Sequence, residues 1–183
     1  TSKKQIKELM SAIPRLDILI NNAGMNIPEP FFDVTEANFD AICGLNLKSV
    51  FMVSQAAARR MVDGDLGGSI LTISSQMGHV GATNRSVYCA TKHGVEGLTK
   101  ALGVELASHR IRVNSIGPTF METPMTKPFF ENREFREDTL NRLPLGHLGR
   151  LEDIMGAVVF LSSPAAALIT GTSLLIDGGW TAQ

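Results

Sequence analysis

Tyr88 and Lys92, in the run Tyr88-Cys89-Ala90-Thr91-Lys92, stand four residues apart. On a helix that spacing puts a phenol and an amine on one face. An ammonium beside a phenol favours the phenolate and lowers its pKa from about 10. A phenol tuned in this way can give or take a proton during a reaction. The alternative is a solvent-facing pair with no chemical task. Ser75, thirteen residues before Tyr88, closes the apolar run Ser69-Ile70-Leu71-Thr72-Ile73-Ser74. In open α/β sheets ligands gather at the carboxyl ends of strands. A hydroxyl at that point can hold a substrate oxygen beside the phenol, or it can cap a turn.

Asn46 is the third signal. It is the one polar residue on the line Phe39, Ile42, Asn46, Val50, Val53, Ala57, Met61, which runs in steps of three and four. A buried amide without partners costs about 1–3 kcal/mol, so Asn46 reads as a satisfied core amide, a link in a proton relay, or both. Asn21-Asn22-Ala23-Gly24 follows an apolar run directly, and such small residues let a ligand approach the backbone; the other reading is a plain turn. Ile116-Gly117-Pro118-Thr119 ends a third run in the same manner, and Thr123-Pro124 lies in the loop beyond it. Gln76 and Arg85 flank the region of Ser75 and Tyr88. Arg85 reads either as a bidentate partner for a substrate carboxylate or as a solvated loop residue.

These residues need elements to position them. The pattern predicts a helix over Ser2–Ile13 and a buried strand over Leu16–Ile20. A long helix follows from Thr35 to about Val62, with Thr35 as N-cap. The next strand covers Ser69–Ser74, and a helix spans Ser86–His109 with Val87, Val95, Leu98, Leu102 and Leu106 inward. A third strand runs over Ile111–Ile116, and Thr119–Leu148 is a mostly helical excursion. A helix over Leu151–Leu161 and a strand over Ser173–Ile176 complete the chain. Strands alternating with helices of this length mean βαβ units and an α/β fold on a parallel sheet. Phe120, Met121, Phe129 and Phe130 are candidates for an apolar lid over the site.

The 183 residues suffice for one domain with a core, and 44% hydrophobic with 19% charged content is that of a globular chain. A net charge of −1 gives no electrostatic case for nucleic acid or an anionic membrane. No apolar run approaches the roughly 20 residues of a membrane span, and no signal peptide is visible at Thr1-Ser2-Lys3-Lys4. Two cysteines, Cys43 and Cys89, form no motif, so a reducing, cytoplasmic setting is the expectation. With four histidines, no metal-ligand spacing stands out.

Taken together, the motifs resemble the short-chain dehydrogenase/reductase family. They are Asn21 to Gly24, Asn46 within Gly44-Leu45-Asn46-Leu47-Lys48, Ser75, Tyr88 to Lys92, Arg112 to Met125, and Leu174 to Gly179. The resemblance implies a Rossmann-like doubly wound sheet and an NAD(P)-dependent oxidoreductase interconverting an alcohol and a ketone. It implies Tyr88 as general acid or base, Lys92 holding the nicotinamide ribose, Ser75 orienting the substrate oxygen, and Asn46 in the proton relay. Asn22, Ala23, Gly24, Tyr88, Lys92, Pro118, Met121 and Thr123 would contact the cofactor, NAD or NADP. It also implies a homotetramer, with one interface on the two long helices and another on the C-terminal strand and tail through Trp180. The wording is most similar to sugar or sugar-acid dehydrogenases and 3-oxoacyl reductases. The alternative function is a non-catalytic binding or assembly subunit that keeps the fold.

Two departures from the family stand out. Pro118-Thr119 replaces its usual Pro-Gly. No Gly-rich strand–turn–helix for the pyrophosphate precedes Leu16. Residues 1–183 therefore read as a single domain, the C-terminal portion of the family's fold, with its first three strands missing. In strand order 3-2-1-4-5-6 this would expose the edge of Leu16–Ile20. The 183 residues alone are then expected to bind a nicotinamide cofactor poorly.

Overall fold

Four parallel strands pair in chain order in the computed structural model, which describes residues 2–123 and 126–183. They are β1 (Ile18–Asn21), β2 (Gly68–Ile73), β3 (Ile111–Pro118) and β4 (Ser173–Ile176). Six helices accompany them: α1 (Lys3–Ala12), α2 (Glu36–Cys43), α3 (Ser49–Asp63), α4 (Ser86–Glu105), α5 (Arg133–Asn141) and α6 (Leu151–Ser162). The α/β class expected from the alternation is observed.

Alternation along β2 divides the core in two. Ile70 faces the α3 and α4 side, where Ala58, Met61, Ile111 and Val113 form one buried cluster. Leu71 faces α6 and joins Ile116, Leu161 and Ala166. Burial on both faces is what a parallel sheet between helices demands. At roughly 25 cal/mol per Å² of apolar area, each fully buried Ile or Leu in these clusters contributes about 1.5–3 kcal/mol.

Boundaries moved for physical reasons. β1 runs to Asn21, not Ile20, because Asn21 pairs with Thr72 in the ladder. The Asn21 amide donates to Ser54 Oγ at 2.9 Å and Thr72 Oγ1 at 3.4 Å, so a residue with turn propensity is held in the sheet. β3 continues through Gly117 and Pro118, which pair with Leu175 and Ile176. α4 ends at Glu105, and a 3₁₀ turn at Ala107–His109 leads to Arg110 at φ 59° before β3. Within α4, Val87 and Val95 are buried as expected, Leu102 and Leu106 are partly buried against the core, and Leu98 is only half-buried. The excursion resolves into a 3₁₀ turn at Lys127–Glu131 and the short α5. Pro124 and Met125, part of the motif after β3, and Thr1 lie outside the described residues.

The long helix is not uniform. Thr35 caps α2 as expected, its Oγ1 accepting the Asn38 N–H at 3.2 Å. Between α2 and α3 the backbone widens into a π turn, Gly44–Lys48. The continuous helical run Glu36–Asp63, 28 residues at a mean hydropathy of 1.2, is long and apolar enough to cross a membrane by length and composition. Its apolar residues are interspersed with polar ones and form no unbroken run. A third of the apolar window is buried, and the helix packs on β1, β2 and α4.

β1 is an edge of the sheet, and Ile18 and Ile20 on it are 44% and 42% exposed. All four carboxyl ends point the same way. They bring the loops after Asn21, Ile73, Pro118 and Ile176 to one rim.

Candidate active site

Ser75 sits just past the end of β2, where it caps a 3₁₀ turn, Gln76–Gly78. Its Oγ accepts the Met77 N–H at 3.1 Å and donates to Gln76 Oε1 at 3.2 Å. The capping reading and the substrate reading are thus compatible, since the cap fixes the hydroxyl. Two glycines let the turn settle. A Cβ on Gly117 would lie 2.7 Å from Leu175 Cδ2 and 3.3 Å from the Ser75 carbonyl oxygen. A Cβ on Gly78 would lie 3.0 Å from Glu96 Cγ and 3.1 Å from the Lys92 carbonyl oxygen. Glycine at both places brings β3 and α4 against the Ser75 turn.

Tyr88 and Lys92 share one face of α4, with Lys92 Nζ 5.6 Å from the centre of the Tyr88 ring. Lys92 is buried and donates to the Ile73 carbonyl at 2.9 Å. Burial lowers its pKa from 10.5 to about 8, against the field of Glu96, which raises it. The Tyr88 phenol departs from expectation: its pKa is raised. Burial is the largest cause, and hydrogen bonding from Ser75 and the charge of Arg85 pull the other way. The Lys92 ammonium, lying over the ring and bonded to Ile73, is not the group that lowers it. Ser75 and Arg85 take that part.

Asn46 occupies the π turn and is 1% exposed. Its Oδ1 accepts the Met25 N–H at 2.9 Å, and its Nδ2 donates to the Met25 carbonyl at 2.8 Å and to Thr91 Oγ1 at 3.3 Å. Thr91 Oγ1 in turn donates to the Tyr88 carbonyl at 2.8 Å. Asn46 therefore fastens the loop after β1 to the helix that carries Tyr88 and Lys92. π turns recur at functional sites because the extra residue re-aims a side chain. Met25 and Thr91 were absent from the sequence reading. Met25 bonds through its backbone and left no signal, whereas Thr91, one residue before Lys92 on the same helix, was open to inference.

The residues expected to meet a cofactor lie around this centre. Asn22, Ala23 and Gly24 are exposed. A Cβ on Gly24 would stand 3.8 Å from Lys92 Nζ and 3.5 Å from Asn46 Oδ1, so the bare glycine leaves a cradle beside the lysine. Pro118 is buried at the end of β3. The side-chain oxygen of Thr119, at the departure from Pro-Gly, is buried with no hydrogen-bond partner among the described residues. Met121 is buried with its thioether against Gly149, to which it bridges through the backbone. Thr123 Oγ1 is engaged with Thr126, accepting its N–H at 3.2 Å and meeting its hydroxyl at 3.0 Å. Met121 and Thr123 are engaged in the local turn, whereas Gly24 is exposed beside the buried Lys92 and Thr119 Oγ1 is buried without a partner among the described residues.

On the substrate side, Gln76 is 2% exposed and its Nε2 has no hydrogen-bond partner among the described residues. Arg85 is half-buried, burial lowers its pKa, and the groups that raise it are Tyr88 and Cys89. No carboxylate pairs with it among the described residues. Of the lid candidates, Phe120 packs edge-on against Phe130 at 5.9 Å and meets Phe135 and Trp180 at 5.7 and 5.8 Å. Phe129 is exposed. No group of three His, Cys, Asp or Glu that could hold a metal occurs among the described residues.

The family described as enoyl-(acyl carrier protein) reductase matches residues 1–181. L-xylulose reductase of Bos taurus is 36% identical over 176 residues, 96% of this chain and 72% of the relative. The 3-oxoacyl-(acyl-carrier-protein) reductase of Thermotoga maritima is 39% identical over 183 residues, 98% of this chain and 73% of the relative. Among solved structures, a gluconate 5-dehydrogenase from Burkholderia cenocepacia J2315 in complex with NADP and tartrate superposes with a TM-score of 0.93 at 31% identity, covering 99% of this chain and 71% of that one.

Proposed function

Because the chain belongs to the short-chain dehydrogenase/reductase family, we propose that it carries the proton-handling half of an NAD(P)-dependent oxidoreductase that interconverts an alcohol and a ketone through Tyr88. The observation that carries this reading is the convergence of Ser75, Tyr88 and Lys92, held to the cofactor-side loop by Asn46.

The residues present fit the nicotinamide–ribose half of such a cofactor. The Gly24 cradle leaves room beside Lys92, which has donors beyond its bond to Ile73, and Thr119 offers an unpaired hydroxyl. NAD or NADP, when bound, supplies or accepts the hydride. The protein's part is proton transfer and orientation. In the direction of reduction, Tyr88 donates its proton to the carbonyl oxygen, and its raised pKa keeps that proton in place beforehand. Ser75, with its oxygen fixed by Met77 N–H, turns its one O–H from Gln76 Oε1 to the same oxygen and shares the developing charge. Arg85, whose charge lowers the Tyr88 pKa, stabilises the phenolate left behind, Lys92 would hold the nicotinamide ribose, and Asn46 keeps the loop of Asn22, Ala23 and Gly24 in register with α4. In the direction of oxidation the same groups act in reverse. Gln76, whose buried Nε2 has no partner among the described residues, and the half-buried Arg85 would face the substrate.

Tyr88→Phe tests this in an enzyme carrying a complete cofactor site. The ring stays and the proton goes. Turnover, followed by nicotinamide absorbance with a panel of ketones, is expected to fall by about 10²–10⁴ with folding unchanged. Activity that survives the substitution contradicts the mechanism.

A further inference from the structure

Glu96 lies one helical turn beyond Lys92 on α4 and is 5% exposed. A carboxylate this deep must be paired or it strongly destabilises the fold. One oxygen accepts the Ser115 O–H from β3 at 2.7 Å. The other stands 3.6 Å from His79 Nε2, too far for a hydrogen bond but close enough for charge to act. His79 is on the turn that carries Ser75, and its Nε2 also meets Ser173 Oγ of β4 at 3.1 Å. The missing side chain of Gly78 lets that turn close over Glu96. The groups in contact with Glu96 are thus His79 from the turn and Ser115 from the sheet, and Lys92, one turn back on the same buried helix face, lies within the field of its charge. Lys92 meets Tyr88 on its other side.

We propose that Glu96 is a positioning residue for the reaction, a buried counter-ion that keeps Lys92 protonated at the pH of turnover. Lys92 is out of water, and its one hydrogen bond is to a neutral carbonyl, so burial works to strip its proton. Glu96 is the charge that opposes this loss. A neutral amine would not hold cofactor hydroxyls as firmly, because charge-assisted hydrogen bonds are about twice as strong as neutral ones. The inference rests on the reading of Lys92 as the residue that holds the cofactor ribose.

The test is the titration of Lys92 by NMR on protein carrying ¹³C at lysine Cε, the signal being assigned by its loss in Lys92→Arg. Lys92 loses its proton as pH rises through about 8. Removing a nearby negative charge disfavours the ammonium, so Glu96→Gln is expected to move that step downward by about one unit. Glu96→Asp, which restores the charge, is expected to move it back. In an enzyme carrying a complete cofactor site, the alkaline limb of the pH–rate profile is expected to shift in the same order. Should Glu96→Gln not fold, Ser115→Ala removes a donor that offsets part of the carboxylate's charge while leaving that charge in place, and a small upward shift is expected. An unchanged Lys92 titration in the folded variant overturns the inference. A shifted titration with an unshifted rate profile leaves the counter-ion standing and removes Lys92 from the mechanism instead.

Discussion

At the scale of single residues, Arg85 is where environment and sequence part company. On spacing alone, an arginine three residues before Tyr88 reads more readily as a solvated loop residue than as a carboxylate partner. In the fold it is half-buried, and Tyr88 is among the groups whose charge acts on it. A half-buried guanidinium at that position can receive an anion. The guanidinium fork matches a carboxylate bidentately. Gln76 Nε2, buried and uncommitted on the other side of Ser75, adds a second donor. Arg85→Ala is therefore expected to raise KM for hydroxy- and keto-acid substrates about 10–100-fold, the loss of a charge-assisted bond of about 1.5–3 kcal/mol, while neutral ketones change little. Steady-state kinetics on matched acidic and neutral substrates decide it, and an unchanged preference removes the carboxylate idea. Arg85 also lowers the Tyr88 pKa, so the comparison is made at constant pH, and the ratio of the two substrates, not the absolute rate, is the measure.

At the scale of elements, Asn46 explains how much could be read beforehand. Its polarity on an apolar stripe was visible in the sequence, as were Thr35 as cap and the alternation of strands and helices. The π turn was not visible. It under-winds the helix, so the buried positions step by four, Ile42, Asn46, Val50, Ser54, and Ser54 takes the place that regular spacing gave to Val53. Ser54 is buried because Asn21 of β1 donates to it. Such a bond spans 33 residues and leaves no local trace. The same holds for Tyr88. Its partnership with Lys92 was legible from spacing, but the sign of its pKa shift depends on burial and on Ser75 and Arg85, which tertiary packing supplies. Asn46→Ala is expected to destabilise the fold by about 1–3 kcal/mol, because it leaves the Met25 N–H and carbonyl without their partner. It is also expected to loosen the loop of Asn22, Ala23 and Gly24, seen as faster amide hydrogen exchange confined to residues 22–26 and 44–48. A stability loss with exchange unchanged in that loop would make Asn46 a core amide and nothing more.

At the scale of the molecule, the site is built from the carboxyl ends of adjacent strands, and β1 is an outer strand of that sheet. Ile18 and Ile20 are exposed along it, an apolar edge of the kind that proteins normally cover. A dinucleotide needs two footholds. In the proposed function, Gly24 and Lys92 would provide the one for the nicotinamide ribose. The other is a Gly-rich turn leading into a helix N-terminus, whose backbone N–H groups hold the pyrophosphate. No such turn precedes β1 in these 183 residues. Much of a dinucleotide's affinity comes from its phosphates, and a single ribose contact cannot replace them. Calorimetry of the 183-residue chain with NADH and with NADPH is accordingly expected to give no binding at micromolar concentrations, and micromolar affinity for either would overturn that expectation. Joining a pyrophosphate-binding βαβ segment ahead of α1 is expected to restore binding and to bury Ile18 and Ile20 together. The two effects belong together, because the strand that would pair with β1 is the one that leads into the phosphate-binding turn.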